Sequence, residues 1–339
     1  MRKLIILFVT LATITSCDLK RENFNSSKKH FTNEVLLGYT PVKDQGHSSL
    51  CWAYAMLATI ETEHIQMGDS VNLSVDYIAR YQLGEQARFH FLSKGYDRMT
   101  LRGTAPLLLR LIDEYGIMPY DSYNAHNINY QSMMKRLVML SNSSRNMSEL
   151  KNRAERLFDD RIGALPKKVY MLGAEYTPLE FAHSVCMRGE YLAMTSFTHH
   201  SFGEAFVLEV PDNYSNELYY NVPIDVMMKR IERSLRAGHP VCWEGDTSET
   251  GFDFKRGVAE LTKQRPYTQK ERQIEFENHH TTDDHCMVLI GIAHDENGKR
   301  YYIAKNSWGT GNAYNGLMYL SKEYVMMKTI AIVVKNINM

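Results

Sequence analysis

The hydrophobic pattern changes character near residue 165, and this change limits the fold more than any other feature. Before that point, apolar residues recur at helical spacing in four segments: 51–67, 75–87, 103–116 and 130–161. Beyond it, apolar or alternating runs of strand length predominate, interrupted by one helical pattern at 223–237. A helical half followed by a strand-rich half predicts an α+β protein with one helical lobe and one β-rich lobe.

Length and charge exclude some classes of protein. A chain of 339 residues can form one large domain or two smaller ones. Lys and Arg total 39, and Asp and Glu also total 39, so the formal net charge is zero. No global positive field therefore favours nucleic acid, and we predict no nucleic-acid partner.

The N-terminus has the pattern of an export signal. Arg2 and Lys3 precede an apolar run, 4–12, which is too short to span a bilayer. The sequence Ile-Thr-Ser-Cys that ends at Cys17 resembles a bacterial lipoprotein processing site. We predict a signal peptide at 1–16, lipidation of Cys17, and a lipid-anchored location in a bacterial cell envelope. The alternative is an ordinary cleaved signal that contains a chance cysteine.

The same pattern suggests how the remaining chain is divided. The polar segment 17–33 is predicted to be a flexible tether. A single domain is predicted over 34–339, with a helical insertion at about 80–165.

Cys51 stands at the start of an apolar helical pattern rather than inside it. Unpaired N–H groups and the helix dipole lower the pKa of a thiol at that position, and the thiolate is the reactive form. Ser48 or Ser49 is expected to cap the helix, and Gln45 lies one loop upstream, where its side chain could donate to an oxyanion. The alternative is a half-buried, unreactive helix cysteine.

A base and its orienting partner are candidates in the second half. His285 opens one predicted strand, an Asn-Gly turn follows at 297–298, and Asn306 closes the next strand. A hairpin centred on that turn places Asn306 opposite residue 287 or 289, on the same face as His285. Trp308 could then cover the bond between them. Cys286 is expected on the opposite face, packed and inert.

These motifs resemble the papain-like cysteine peptidases, and the closest resemblance is to the bleomycin hydrolase and aminopeptidase C branch. The matching stretches are "DQGHSSLCWAYA", "DDHCMVLIG" and "KNSWG", with "HPVCWEGDTSETGF" and "AEYTPLEFA" typical of that branch. The resemblance implies a papain-like fold in which the helical lobe carries Cys51 as nucleophile and the β-rich lobe carries the His and Asn. It also implies His285 as base and acid, Asn306 as orienter and Gln45 in the oxyanion hole, with Trp52 and Trp308 in support.

The resemblance leaves several questions open. Peptides or proteins are the expected substrates, and neither a cofactor nor a metal is expected. Adjacent histidines in a strand, as at 199–200, would point to opposite sides and could not chelate an ion together. The printed sequence has no cleft-filling C-terminal arm of the kind that this branch carries, so aminopeptidase and endopeptidase action both stay open, as does a homo-oligomeric state.

Two other functions also fit these residues. One is a catalytically silent, peptide-binding lipoprotein. The other is a thiol acyltransferase or amidase that uses the same side chains.

Overall fold

The computed structural model describes residues 28–125, 128–171, 173–263 and 265–337. Its α-helices are α1 (Cys51–Gln66), α2 (Val75–Leu92), α3 (Ala105–Tyr115), α4 (Tyr130–Ser143), α5 (Met147–Arg161), α6 (Pro178–Val185), α7 (Ile224–Arg236), α8 (Gln269–Glu277) and α9 (Lys322–Lys328). The strands are β1 (Phe31–Leu36), β2 (Val169–Met171), β3 (Ala174–Tyr176), β4 (Tyr191–Thr195), β5 (Ala205–Val207), β6 (Leu218–Asn221), β7 (Val241–Gly245), β8 (Phe252–Asp253), β9 (Val258–Ala259), β10 (His285–Asp295), β11 (Arg300–Lys305), β12 (Leu317–Ser321) and β13 (Thr329–Lys335). The predicted α+β class and the division near residue 165 are confirmed.

One large sheet organises the second half. Its strand order is β5-β6-β4-β13-β7-β10-β11-β12-β9-β8, and β2 and β3 form a separate hairpin. β10 is the central strand, because β11 lies along one edge while β7 and then β1 share the other. Residues 285–293 of β10 are all buried, so both faces of this strand are covered.

Helix α1 joins the two lobes. Nearly all of its first fourteen residues are buried, as expected of a helix surrounded by protein rather than lying on a surface. It contacts α2 and α3 in the helical lobe, and β7 and β10 in the sheet. The N-terminus of α1 and the first residues of β10 therefore lie at the same boundary between the lobes.

The helical lobe contains the residues of the predicted insertion. α4 and α5 pack on α2, and α3 packs against α1 and α6. The four helical segments expected from the sequence correspond to α1, α2, α3 and the α4–α5 pair, although α2 extends to Leu92. The insertion bounds of about 80–165 stay a prediction.

The predicted tether, 17–33, was given the wrong end. Residues 31–33 lie in β1, which pairs with β10, so the folded domain begins earlier than residue 34. Phe31 stacks on Tyr319 with ring centroids 3.9 Å apart, and this contact covers part of the Phe31 ring. The polar composition of segment 17–33 gave no indication of this partner. The predicted signal peptide 1–16 and Cys17 lie outside the described residues. Among the helices that are described, none is long and apolar enough to cross a membrane.

Candidate active site

The start of α1 lacks the predicted serine cap. Leu50 occupies the N-cap position, and no side chain caps the helix. The Ser48 hydroxyl instead donates to the Gln45 carbonyl oxygen at 2.7 Å, which closes the turn before the helix. The expectation of a serine cap is therefore wrong, and the first-turn N–H groups near Cys51 are left without a side-chain acceptor. Such groups favour a negative charge.

The β10–β11 hairpin brings His285 and Asn306 together. The pairing of Val288 with Lys305 continues the register that was predicted from the turn, and the ladder shifts between Leu289 and Gly291. A Cβ atom on Gly291 would lie 2.3 Å from the Val35 oxygen, so the glycine allows β1 to approach at this shift. His285 Nε2 lies 2.8 Å from Asn306 Oδ1.

The orientation of Asn306 determines which nitrogen of His285 is protonated. The Ser307 backbone N–H donates to Asn306 Oδ1 at 2.7 Å, which identifies that atom as the oxygen. Nε2 of His285 must therefore donate its hydrogen to the same oxygen. The other ring nitrogen, Nδ1, is left for the hydrogen bond between His285 and Cys51.

Cys51 and His285 shift each other's protonation. The pKa of the Cys51 thiol is well below its usual range, chiefly through a hydrogen bond from the Cys286 side chain. Burial opposes this shift, and the bond and charge of His285 add to it. Burial lowers the pKa of His285, but its interactions with Cys51 and Asn306 outweigh that effect and the net pKa is raised. The pair therefore favours a thiolate and an imidazolium.

Sequence reasoning missed Cys286. This residue is packed, as expected, but its side chain hydrogen-bonds to Cys51 instead of lying apart from it. The bond to Cys51 and burial both raise the pKa of Cys286, so its thiol stays protonated and can donate. One signal was available in the sequence. Cys286 directly follows His285, so a helix end that meets His285 also comes close to Cys286.

The Gln45 side chain is fixed by hydrogen bonds at both of its polar atoms. Its Oε1 accepts from the Ser307 hydroxyl at 2.6 Å, and its Nε2 donates to the Ser48 oxygen at 2.7 Å. An amide nitrogen has a second hydrogen, which is available to a substrate oxygen. The backbone N–H of Gln45 also donates to the Ser307 oxygen at 2.8 Å, so the loop before Cys51 is attached to the end of β11.

The two tryptophans differ in what they contact. The Trp308 ring lies 4.5 Å from the His285 ring, centroid to centroid, so it packs against the histidine. Its covering of the bond between His285 and Asn306 stays a prediction. Trp52 is buried, and its indole N–H donates to the Leu101 oxygen at 3.0 Å. A Cβ atom on Gly103 would lie 2.8 Å from the Trp52 ring. Trp52 therefore supports the 101–104 loop.

The reason given for excluding a metal at the first histidine pair is wrong. His199 and His200 follow β4 in a turn, and both rings contact Glu209, with Nε2–oxygen distances of 3.2 and 2.6 Å. Gln273 accepts from a backbone N–H through Oε1 and donates to His199 Nδ1 through Nε2. The proton of His199 is then on Nε2, which points at Glu209 and is not free to bind an ion. The absence of a metal role stays a prediction.

Comparison with known proteins identifies the family. Residues 166–339 match the model of the Peptidase C1-like family. Aminopeptidase E of Lactobacillus helveticus is 21% identical over 343 residues, which cover 84% of this chain and 78% of that relative. The crystal structure of PepW from Lactobacillus rhamnosis HN001 superposes with a TM-score of 0.72 at 17% identity, covering 91% of this chain and 83% of that one. The chain belongs to the Peptidase C1-like family, and it is a papain-like cysteine peptidase.

Proposed function

We propose that this peptidase cleaves its substrates through a thioester formed on Cys51. His285 acts as the acid and base, Asn306 orients it, and Gln45 helps to hold the oxyanion. The observation that carries the proposal is the position of His285, whose Nε2 lies 2.8 Å from Asn306 Oδ1 and whose interaction with Cys51 lowers the pKa of the thiol. A nucleophile, its base and an orienting group in contact are the arrangement that covalent catalysis requires.

Each step uses groups already described. The Cys51 thiolate attacks the scissile carbonyl carbon, and the resulting oxyanion accepts from the Gln45 side chain and from a backbone N–H at the start of α1. His285 gives its proton to the leaving amine, the C–N bond breaks, and a thioester remains. Water then attacks the thioester while His285 takes its proton. The carboxylic acid leaves and the Cys51 thiolate is restored.

We infer that the enzyme removes residues from the N-termini of peptides. A curated relative over most of the chain's length is named Aminopeptidase E, which supports this preference. The test is a mass-spectrometric map of the products from a mixed peptide pool. Ladders shortened from the N-terminus are expected, whereas internal cuts would show an endopeptidase and contradict the inference.

The assignment of Cys51 is tested directly. Cys51→Ala and His285→Ala should abolish turnover while both variants keep the fold, as judged by circular dichroism. A thiol-directed epoxide should label the wild type at Cys51. Full activity of Cys51→Ala would refute the mechanism, and the absence of labelling would favour the silent peptide-binding protein. Rapid labelling without cleavage of any peptide would favour an acyltransferase or amidase.

We also propose that Cys17 carries a lipid that anchors the enzyme in a bacterial cell envelope. The charged, apolar and small residues before Cys17 support this proposal. Detergent phase partitioning after expression in a bacterium tests it. The wild type should enter the detergent phase and Cys17→Ala should not, and equal partitioning of both would contradict the anchor.

A further inference from the structure

Three carboxyl groups interact electrostatically with the proposed nucleophile, and we call them the carboxylate cluster: Asp212, Glu244 and Asp283. Asp283 precedes His285 by two residues, and Glu244 lies opposite Cys286 in the pairing of β7 with β10. Asp212 is in the connection between β5 and β6. The cluster thus gathers side chains from three separate segments at the end of the lobe boundary that holds Cys51.

Arg102 connects two members of the cluster without neutralising both. Its Nε lies 2.8 Å from Asp212 Oδ1 and 3.1 Å from Oδ2, and the hydrogen bond is aligned on Oδ2. Its Nη2 donates to the backbone oxygen of Asp283 at 2.9 Å rather than to the carboxylate. The Arg102 side chain is also half-exposed. This cation, which is partly in water, is therefore paired directly with only one carboxylate of the cluster, that of Asp212.

Two carboxylate oxygens of the cluster lack a donor. Asp212 Oδ1 and Asp283 Oδ2 are buried and have no hydrogen-bond partner within the described parts of the chain. The whole Asp212 residue is only 5% exposed. A buried carboxylate oxygen without a hydrogen bond is costly, so Asp283 Oδ2 favours a proton or a cationic ligand. Asp212 Oδ1 has the Arg102 Nε at 2.8 Å, but no donor is aligned on it, and it can still accept a hydrogen bond from a ligand.

Glu244 differs from the two aspartates because its oxygens already have partners. One accepts from the Ala105 N–H at 2.6 Å and the other from the Tyr219 hydroxyl at 3.1 Å. Burial and the neighbouring charges of Asp212 and Cys51 nevertheless raise its pKa to about 7. Burial raises the pKa of Asp212 to about 7 as well, with Cys51 contributing. These mutual effects show that the cluster and Cys51 share one electrostatic environment.

The interaction of the cluster with Cys51 favours a cation that belongs to the substrate itself. The α-nitrogen of a residue lies about 2.5 Å from its own carbonyl carbon, which is the atom that Cys51 attacks. If that residue is the first of the substrate, its α-nitrogen is an ammonium group with three N–H donors. If the substrate instead has further residues on the N-terminal side, a neutral amide occupies the place of the ammonium group. More substrate backbone must then pass the buried carboxylates.

We propose that Asp212 and Asp283 bind the α-ammonium group of the substrate's first residue, with Glu244 as a further negative charge behind them. The two oxygens that lack donors then receive N–H groups from the ligand, while Arg102 keeps its bond to Asp212 Oδ2. This recognition would restrict cleavage to the N-terminal residue. The inference rests on the proposed aminopeptidase action, and it supplies the residues responsible.

The test compares substrates with and without the α-ammonium group. An aminoacyl-aminocoumarin and its N-acetylated form are assayed with the wild type, Asp212→Asn and Asp283→Asn. The wild type should strongly prefer the free amine. Each variant should lose about 30-fold or more in kcat/KM on that substrate, mainly through KM, because a buried partner of a charge is removed. Activity on the acetylated substrate should stay unchanged or rise.

A control and a second readout keep the outcomes distinct. Glu209→Gln changes an acidic residue of the same connection that contacts His199 and His200, and it should leave the preference unchanged. Both aspartate variants should keep the wild-type circular dichroism spectrum, and a thiol-directed epoxide should still label Cys51 in each of them. If both aspartate variants kept the wild-type preference for the free amine, the inference about the carboxylate cluster would be overturned and the proposed function would stand. Internal cuts by the wild type, or an active Cys51→Ala, would instead overturn the proposed function.

Discussion

Replacing Asn306 with alanine separates orientation of the base from the chemistry itself. Asn306 Oδ1 accepts from His285 Nε2 at 2.8 Å and from the Ser307 N–H at 2.7 Å. His285 is only 3% exposed, so its ring N–H is left buried when the acceptor is removed. A hydrogen bond to a charged group contributes about 1.5–3 kcal/mol, which corresponds to a loss of roughly 10–150-fold in kcat/KM.

The surroundings of Asn306 favour the lower part of that range. A cavity of about 10 Å³ is lined by Asn306, Ser307 and Lys305 among other residues. The shortened side chain enlarges this space enough for a water molecule, which can accept part of the lost hydrogen bond. We therefore expect a measurable but incomplete loss of activity, in contrast to the complete loss predicted for Cys51→Ala.

The pH dependence gives an independent readout of the same variant. The bond to Asn306 raises the pKa of His285, so its removal lowers that pKa. The imidazolium is lost as the pH rises through the pKa of the folded protein, and Asn306→Ala should lose activity on the alkaline side at a lower pH than the wild type.

The assay is kcat/KM across pH, with epoxide labelling of Cys51 to count intact sites. Unchanged kcat/KM with an unchanged alkaline limb would refute the orienting role. A loss as complete as that of Cys51→Ala would refute the estimated magnitude.

Two further variants test separate features. Cys286→Ala removes the donor that most lowers the pKa of Cys51, so alkylation of Cys51 by iodoacetamide should require a higher pH. The control is Cys186→Ala, at a buried thiol whose pKa burial raises to about 12. This control should leave the pH profile of Cys51 alkylation unchanged. Identical alkylation profiles for wild type and Cys286→Ala would contradict the role of the second thiol. Asn221→Ala removes side-chain bonds to backbone groups of residues 197, 200 and 201, and urea denaturation should show a loss of about 2–4 kcal/mol, whereas an unchanged midpoint would mean that these bonds are replaced.

Local patterns predicted the helices and the long hairpin well. The Asn-Gly turn set the register of β10 with β11, and strand alternation then placed His285 and Asn306 on one face. The serine cap before α1 was wrong because Ser48 found a closer acceptor in the Gln45 carbonyl. The tether boundary was wrong because β1 gains its burial from Tyr319, far along the chain. Side-chain polarity alone could not indicate that partner.

The roles of the candidate residues illustrate the same limit. Cys286 was predicted to lie away from Cys51 because the alternation of side chains describes a strand in isolation. In the structure, the start of α1 meets β10 at a point where both His285 and Cys286 interact with Cys51. In the sequence, Asp283 lies beside the predicted base and could favour a cationic substrate terminus, although acidic residues in polar loops are usually solvated. Nothing connected it with Asp212, which lies 71 positions earlier in the chain.

The sequence by itself determined the α+β class, the helix that begins at Cys51 and the hairpin that joins His285 to Asn306, because each depends on residues close together in the chain. Only the tertiary structure decided what surrounds the Cys51 sulfur: the thiol of Cys286, the carboxylates beside it, and the loop from β11 that holds Gln45. Those contacts depend on how α1 packs against β10, and that packing is set by buried surfaces drawn from both halves of the molecule.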